Sequence, residues 1–558
     1  MMHPGEQYYP EGVRWDASIA RGTLPDLLSK AASDFGSRIA IEFRDRPITF
    51  VELKDMADVT ASAFLRAGYG KGTSIALFLG NTPDHPINFF GGLTAGARIV
   101  HLSPLDGEIA LSHKLTDSGA RVLVTCNLAA LMPMALKFLN KGLLDRLIVC
   151  EDARWGDVGN TVAAIPDDPR IVTFKQFVEG AQPPASWPSI SADDIALLQY
   201  TGGTTGLPKG AMLTHGNLTS AVSIYDVWGA KAKAERNTIE RVILVLPLFH
   251  IYALTVVLLR NIRNGDLISM HQRFDVHAVM RDIEEKRATY FPGVPTMWIA
   301  IANLPDLDKR DLSSLASAGS GGAPLPVEVA KVFEKKTGLT LKSGWGMTET
   351  CSPGTSHPPE GPNKPGSIGL MLPSIEMDVV SLDDPKQVLP VGETGEIRVR
   401  GPNVTRGYWN REKETAEAFV GDRFLTGDIG YMDGDGYFYL VDRKKDMIIS
   451  GGFNVYPQMI EQAIYQHPAV QEVIVIGIPD EYRGEAAKAF VTLRANATPF
   501  TIEELREFLT GKLGKHELPV AVEFVKELPR TSVGKLSRHE LRSQQRKQSQ
   551  PLVTGGHP

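Results

Sequence analysis

Short apolar runs alternate with amphipathic stretches along the first third of the chain. Residues 74–79 and 122–125 are mainly apolar and have the length of buried strands. Residues 24–35 and 51–67 instead repeat apolar positions at helical spacing, and the same alternation continues over 195–341. Strands that alternate with helices predict α/β layers around a largely parallel sheet.

The pattern changes near residue 365. Glycine and β-branched residues dominate residues 365–439, which predicts a small antiparallel sheet or β-barrel. After the charged patch at 443–446, α/β alternation returns. We therefore predict an N-terminal domain over 1–441, a C-terminal domain over 442–543 and a disordered polar tail over 544–558.

One uncharged segment, residues 242–259, reaches the length of a membrane span. Pro247 and His250 lie near its middle, which favours a buried strand, a loop and a buried helix instead. We expect no transmembrane segment, while peripheral contact with a membrane stays open.

Composition and charge exclude several classes of protein. The chain has 558 residues, 43% of them hydrophobic and 22% charged, as in a globular protein of more than one domain. The net charge of −6 argues against a nucleic-acid partner held by bulk electrostatics. Three widely spaced cysteines fit neither a disulfide framework nor a metal site, and the N-terminus has no secretory signal, so a reducing, cytoplasmic location is expected.

A loop at 200–210, YTGGTTGLPKG, carries the strongest chemical signal. It follows an apolar run over 195–199. Its glycines let backbone N–H groups turn toward an anion, its threonines add hydroxyl donors and its lysine adds charge. The alternative interpretation is a flexible glycine-rich loop that binds no anion. The candidate anion-binding residues are Thr201, Gly202, Gly203, Thr204, Thr205, Gly206 and Lys209.

Four further segments carry candidate chemistry. They are SGGAP at 320–324, GWGMTET at 344–350, TGD at 426–428 and LPRTSVGKLSR at 528–538. An aromatic ring between glycines can face a purine, a carboxylate can hold Mg²⁺, and a carboxylate after a tight turn can accept two ribose hydroxyls. Each segment taken alone is weak evidence, because packed tryptophans and TGD turns are common.

Together these motifs resemble the adenylate-forming superfamily over residues 20–543. That superfamily includes acyl-CoA synthetases, aryl-CoA ligases, luciferase-like enzymes and peptide-synthetase adenylation domains. The resemblance implies a large N-terminal domain of α/β subdomains with a small β-barrel, then a small mobile α/β domain. It also implies ATP, Mg²⁺ and CoA as cofactor and substrates.

The resemblance assigns roles by position. Lys535, Thr348, Glu349 and His250 become catalytic candidates, with Glu349 also on Mg²⁺. Trp345 is placed near adenine, Asp428 and Arg443 on the ribose, Lys445 at the hinge, and Gly451 and Gly452 on the CoA path. The remaining nucleotide-binding candidates are Gly321, Gly322, Ala323, Gly344, Gly346 and Met347.

The reaction implied is ATP-dependent ligation of a carboxylic acid to CoA through an acyl-adenylate. The acid-pocket candidates are mainly apolar or small: Phe249, His250, Ile251, Tyr252, Gly293, Val294, Met297, Trp298, Gly319, Cys351 and Ser352. The detailed resemblance is to medium- and long-chain fatty-acyl-CoA ligases, and since these motifs contain no cation for a distal carboxylate, a monocarboxylic acid is favoured. Dicarboxylate or aryl ligases, a ligase that loads a carrier protein, and an inactive acyl or nucleotide sensor stay open. So does the choice between a monomer and a homodimer.

Overall fold

The computed structural model describes residues 3–156, 158–201, 207–236, 238–531 and 535–549. Within these ranges, no helix is long and apolar enough to cross a membrane. Residues 242–259 form the end of a strand, a loop and a buried helix, as predicted.

The first part of the chain forms an α/β unit with a seven-stranded sheet. The sheet order is β7-β6-β5-β3-β4-β8-β9, and every pair is parallel except β8 with β9. Its strands are β3 (Ser74–Phe78), β4 (Arg98–His101), β5 (Val122–Cys126), β6 (Arg146–Cys150), β7 (Ile171–Thr173), β8 (Ile195–Thr201) and β9 (Lys209–Thr214). The same part of the chain also contains β1 (Ile39–Phe43) and β2 (Arg46–Thr49), which join the second sheet. The helices are α1 (Leu24–Phe35), α2 (Phe50–Arg66), α3 (Asp84–Thr94), α4 (Glu108–Ser118), α5 (Met132–Asn140), α6 (Phe174–Val178) and α7 (His215–Arg236).

A second, nine-stranded sheet takes its last two strands from the N-terminus. Its order is β16-β15-β14-β13-β12-β10-β11-β1-β2, parallel from β14 to β1. Its further strands are β10 (Arg241–Leu244), β11 (Leu267–Met270), β12 (Tyr290–Gly293), β13 (Ser317–Ser320), β14 (Leu341–Trp345), β15 (Thr355–Ser356) and β16 (Leu370–Met371). Its helices are a π-helical segment (Ala253–Leu259) that continues into α8 (Arg260–Asn264), then α9 (Val276–Glu284), α10 (Pro295–Ala302) and α11 (Val327–Thr337).

Residues 376–443 form a five-stranded antiparallel sheet. Its elements are β17 (Glu376–Val380), β18 (Gly395–Arg400), α12 (Glu412–Glu417), β19 (Phe419–Val420), β20 (Arg423–Met432) and β21 (Phe438–Arg443). The antiparallel pairing matches the prediction. Among the described strands, the pairing path β17-β18-β20-β19, with β21 also on β20, leaves the sheet open.

The C-terminal part has a sheet and a hydrophobic core of its own. Its elements are β22 (Ile448–Ser450), β23 (Phe453–Val455), α13 (Pro457–Ile464), β24 (Val470–Asp480), β25 (Gly484–Leu493), α14 (Ile502–Leu509), β26 (Ala521–Phe524) and α15 (Arg538–Ser549). Residues 544–549, the start of the tail predicted to be disordered, continue α15. Arginine, lysine and glutamine are good helix formers, and buried Leu541 anchors the helix. Residues 550–558 lie outside the described residues.

The two parallel sheets share one continuous apolar core. Strands β8, β13 and β14 end at Thr201, Ser320 and Trp345. A glycine-rich motif begins at or next to each of these residues. Ligand sites in α/β folds form where the carboxyl ends of parallel strands meet. The fold therefore brings the separate motifs to one edge.

Candidate active site

A cavity of about 2540 Å³ lies at this edge. The large domain supplies the strand ends and the β20–β21 pair, and the C-terminal domain contributes the segment around Lys535. Most predicted site residues in the described ranges line the cavity, so motifs far apart in sequence share one space.

The start and end of the first motif are adjacent. Thr201 and Lys209 are directly paired across β8 and β9, and both line the cavity. The Lys209 ammonium lies 5.2 Å from the centre of the Tyr408 ring, which is cation–π distance. The predicted anion-binding residues 202–206 lie outside the described residues.

Glycines in the second motif are required by packing. A Cβ on Gly346 would overlap the carbonyl oxygen of Ser352, and one on Gly344 would lie 2.9 Å from the carbonyl oxygen of Thr355. The loop therefore folds back tightly on itself, and the following 3₁₀ turn, Thr348–Thr350, presents Thr348 and Glu349 to the cavity.

Glu349 is a buried carboxylate on the cavity wall. Its Oε1 accepts a hydrogen bond from the Tyr408 hydroxyl at 2.8 Å. Burial raises the pKa of Glu349, and the charge of Asp428 acts in the same direction. Within the described part of the chain, no group of three or more His, Cys, Asp or Glu side chains is placed to hold a metal ion. A single carboxylate suits Mg²⁺, which takes one or two protein oxygens and completes its shell with phosphates and water.

Asp428 ties two parts of the large domain together. Its Oδ2 accepts the indole N–H of Trp345 at 2.7 Å, and its Oδ1 lies 2.6 Å from Nε of Arg443. Asp428 and Arg443 are directly opposite each other in the β20–β21 ladder. The carboxylate raises the pKa of Arg443.

Lys535 reaches into the cavity from the C-terminal domain. A Cβ on Gly322, whose φ is 80°, would lie 2.8 Å from Cε and 3.1 Å from Nζ of Lys535. Burial, followed by the nearby charge of Arg443, lowers the pKa of Lys535 to about 8. Burial and the charge of Lys535 lower the pKa of His250 to about 3. Nδ1 of neutral His250 accepts the amide N–H of Tyr252 at 3.2 Å, which leaves Nε2 as the donor.

The glycine pair predicted on the CoA path is not brought to the cavity wall. Gly451 and Gly452 form the turn between β22 and β23 with φ of 59° and 83°, and a Cβ on either would meet nothing within 4 Å. Their apolar neighbours Ile449 and Phe453 are 55% and 59% exposed. Lys445, by contrast, lies on the wall, where burial lowers its pKa.

Comparison with known proteins identifies the family. Residues 28–409 match the AMP-binding enzyme family, and residues 459–535 match the AMP-binding enzyme C-terminal domain. The chain belongs to the AMP-binding enzyme family. The resemblance predicted from the motifs is thereby confirmed.

Relatives cover nearly the whole chain. The long-chain-fatty-acid–CoA ligase of Bacillus subtilis (strain 168) is 38% identical over 547 residues, which cover 96% of this chain and 96% of the relative. The long-chain-fatty-acid–CoA ligase of Salmonella typhimurium is 36% identical, and the match covers 96% of this chain and 97% of the relative. A feruloyl-CoA synthase from Amycolatopsis sp is also 36% identical, with 90% and 95% covered.

Solved structures in the family share the fold. The anthranilate CoA ligase AuaEII in complex with anthranoyl-AMP superposes with a TM-score of 0.82 at 26% identity, covering 95% of this chain and 98% of that one. ATP-bound MatB from Rhodopseudomonas palustris gives a TM-score of 0.80 at 28% identity, covering 94% and 100%. The predicted α/β fold class is confirmed.

The predicted acid pocket divides into wall residues and supporting residues. Phe249, His250, Ile251, Tyr252, Val294, Gly319 and Ser352 line the cavity. Gly293, Met297, Trp298 and Cys351 do not line the cavity. The Trp298 indole packs against Phe291 and Phe333 and donates to the carbonyl oxygen of Gly319 at 3.0 Å, so it supports the wall from behind.

Two wall residues were missed from the sequence. Tyr408, which contacts Glu349 and Lys209, follows β18 in a GYWN segment with no distinctive spacing. Arg260 also lines the cavity. It lies outside the motifs, at the start of α8, where the sequence predicts only a buried helix. Arg260 thus adds to the cavity wall a cation that the motifs do not contain.

The crowding at Gly346 gives a testable prediction. Gly346→Ala should lower the free energy of unfolding by about 1–3 kcal/mol, because the new methyl group must displace the Ser352 backbone. Chemical denaturation of the purified protein measures the change. Gly434→Ala is the matched control, because its Cβ would meet nothing within 4 Å. Equal effects of the two substitutions would contradict the packing role.

Proposed function

We propose that this protein converts a medium- or long-chain aliphatic acid to an acyl-adenylate and then to its CoA thioester. The reaction class follows from the family: the chain is an ATP-dependent acid–thiol ligase that uses Mg²⁺ and CoA. The observation that carries the proposal is the position of the buried Lys535, which lies against Gly322 and is influenced by the charges of Arg443 and Asp428. A buried cation at this point is suited to a reaction in which negative charge moves between phosphates.

In the first half-reaction the acid's own oxygen attacks the α-phosphate of ATP and pyrophosphate leaves. Asp428 would accept the ribose hydroxyls, and Arg443 would hold that carboxylate in place. Thr201, Lys209 and Thr348 would donate to phosphate oxygens, while Lys535 stabilises the charge that develops. Such a transfer needs positioning and charge stabilisation rather than a covalent protein intermediate.

Magnesium would be held by Glu349 together with the phosphates. Its contribution is to neutralise phosphate charge. The Tyr408 hydroxyl fixes one carboxylate oxygen, Oε1, so the orientation of Glu349 is set before ATP binds. This is consistent with an oxygen-only site for a hard cation.

The second half-reaction requires a different neighbour at the same carbonyl carbon. We propose that the domain over 442–543 rotates about Lys445 relative to the domain over 1–441. Rotation would withdraw Lys535 and bring the turn at Gly451 and Gly452 to the cavity, where the absence of side chains leaves room for the pantetheine arm. The exposure of Ile449 and Phe453 supports this, because exposed large apolar side chains commonly mark a contact surface.

The acid itself is proposed from the cavity wall and the relatives. Trp228, Val256, Val294, Ile299 and Ala318 give that wall an extended apolar part. Two of the relatives are named as long-chain-fatty-acid–CoA ligases, and a third is named for an aryl acid. An aryl acid is therefore the second candidate. A cytoplasmic location, supported by three free buried cysteines, and a monomer or homodimer complete the proposal.

Acyl length tests the proposed acid. Within a series of monocarboxylic acids, kcat/KM for thioester formation should rise with chain length and then level off. Each buried methylene contributes up to about 0.8 kcal/mol. The measurement is AMP release in the presence of CoA. Activity restricted to acetate or to aryl acids, with no response to alkyl length, would contradict the proposal while leaving the ligase class intact.

The two half-reactions test the domain rotation. Lys535→Ala should abolish ATP–pyrophosphate exchange but still convert supplied acyl-AMP and CoA to thioester. Gly452→Leu should spare exchange and block thioester formation. Parallel losses of both half-reactions in both variants would mean that one fixed arrangement performs both steps.

The titration of Lys535 gives a pH prediction. The ammonium form is needed for adenylation and is present below a pKa of about 8, so kcat/KM for ATP should fall as the pH rises through that value. Pyrophosphate exchange without CoA measures this without interference from the CoA thiol. In Lys535→Arg the charge persists, so whatever activity remains should not decline in that range. A parallel decline in both proteins would assign the titration to another group.

A further inference from the structure

An arginine faces the acid side of the cavity from inside the protein. Arg260 begins α8, directly after the π-helical segment. Tyr252, Val256 and Arg260 recur at every fourth position and all line the cavity, so they share one face of this helix. The Arg260 side chain is 19% exposed, and that exposure is toward the cavity.

The guanidinium of Arg260 has unused donors. Its Nε donates to Oδ1 of Asp226 at 3.3 Å. Its two terminal nitrogens hydrogen bond to no acceptor within the described part of the chain. A guanidinium carries five N–H donors, and unpaired donors that have lost water cost free energy unless a ligand or water satisfies them.

The carboxylates around Arg260 already have partners. Asp226 is also paired with Arg263 at 3.0 Å and accepts from Asn264 at 2.8 Å. Two guanidinium groups therefore share one carboxylate, which leaves an excess of positive charge beside the cavity.

Two further acids influence Arg260 at longer range, and each has its own cation. Glu240 is paired with Arg236 at 2.9 Å, and Asp266 with Lys233 at 2.8 Å. The excess positive charge at Arg260 is therefore not cancelled by these neighbours.

A series of contacts connects Arg260 with the reacting end of the cavity. Gly322 touches Lys535, and a Cβ on the adjacent Gly321 would lie 2.9 Å from the Tyr252 ring. Tyr252 begins the same helical face that ends in Arg260. The eight intervening steps span about 12 Å at an α-helical rise, and less over the π-helical turns.

A glycine on the neighbouring helix α7 leaves room for the guanidinium. On α7, a Cβ at Gly229 would lie 3.0 Å from Nη2 of Arg260. On the sheet side, Tyr290 faces Gly319, with the hydroxyl 3.2 Å from the position of a Cβ. An acyl chain whose carboxylate lies near His250 and Lys535 would therefore direct its far end toward Arg260.

We propose that Arg260 is a specificity-determining residue that binds the far carboxylate of an α,ω-dicarboxylic acid. A carboxylate can accept two parallel hydrogen bonds from a guanidinium, whereas a terminal methyl group would leave those donors unsatisfied. This inference rests on the proposed function, since it concerns the acid that the ligase activates. It replaces the preference for a monocarboxylic acid with a preference for a diacid.

The test compares three acids with the same ten-carbon backbone: decanoic acid, decanedioic acid and the monomethyl ester of decanedioic acid. The ester keeps the distal carbonyl of the diacid, adds one methyl group and removes the distal charge. In the wild type, kcat/KM for thioester formation should be highest for the diacid. Arg260→Leu should lower the ratio of diacid to monoacid kcat/KM by roughly ten- to hundredfold. It should have a smaller effect on the ratio of ester to monoacid kcat/KM.

Matched variants separate the role of Arg260 from general electrostatics. Arg263→Leu removes a guanidinium from the same carboxylate but lies off the cavity wall, so it should lower the ratio far less than Arg260→Leu does. Arg260→Lys keeps the charge without the planar fork and should retain part of the preference. If Arg260→Leu does not fold, Gly229→Ala provides the second test, because the added methyl group crowds Nη2 and should also lower the ratio.

The outcomes are distinct. Equal changes of the ratio in Arg260→Leu and Arg263→Leu, or a wild type that prefers the monoacid or the ester, would overturn the proposal and leave the ligase function intact. A wild type that forms no thioester from any acid of the panel or of the chain-length series would contradict the proposed function itself. Retained pyrophosphate exchange with decanoic acid shows that a variant is folded.

Discussion

The buried carboxylate of Asp428 is the contact on which the arrangement of this site depends. It accepts from Trp345 at the end of a parallel strand and pairs with Arg443 at the end of the antiparallel sheet. It also partly offsets the effect of Arg443 on the pKa of Lys535, which comes from the other domain. Without Asp428, the repulsion between the charges of Arg443 and Lys535 would be less compensated.

The junction between the domains uses the alternation of a β-strand. Arg443 pairs with Asp428 on the large-domain side, whereas the adjacent Asp442 bonds to Arg538 and to the amide N–H of Gln458 on the C-terminal side. Successive side chains of a strand point to opposite faces, so two neighbouring residues can each bind a different domain. A rotation centred just after them, near Lys445, would leave Arg443 paired with Asp428 and would separate Asp442 from Arg538 and Gln458.

Both ends of the cavity carry positively charged side chains that neighbouring anions do not fully balance. At the reacting end, burial and neighbouring cations lower the pKa values of Lys535 and Lys445. At the far end, Arg260 keeps donors unused beside a carboxylate that it already shares. A polyphosphate would satisfy the first group, and the far end of the acid would satisfy the second, so the substrates would supply the missing negative charge at each end.

The sequence by itself determined the local elements and the chemistry of the motifs. The helix at Leu24–Phe35 and the α/β order follow from apolar periodicity, which depends on neighbours only a few residues apart. The resemblance located Lys535, Glu349 and Asp428, because their motifs have fixed spacing. Tertiary structure alone decided that Trp298 supports the wall from behind, that Arg260 faces the cavity and that Gly451 and Gly452 lie away from it. These facts depend on contacts between segments far apart in the chain, such as α7 against α8 or Gly322 against Lys535. A local pattern of residue types does not determine which side chains face the cavity once such contacts have formed.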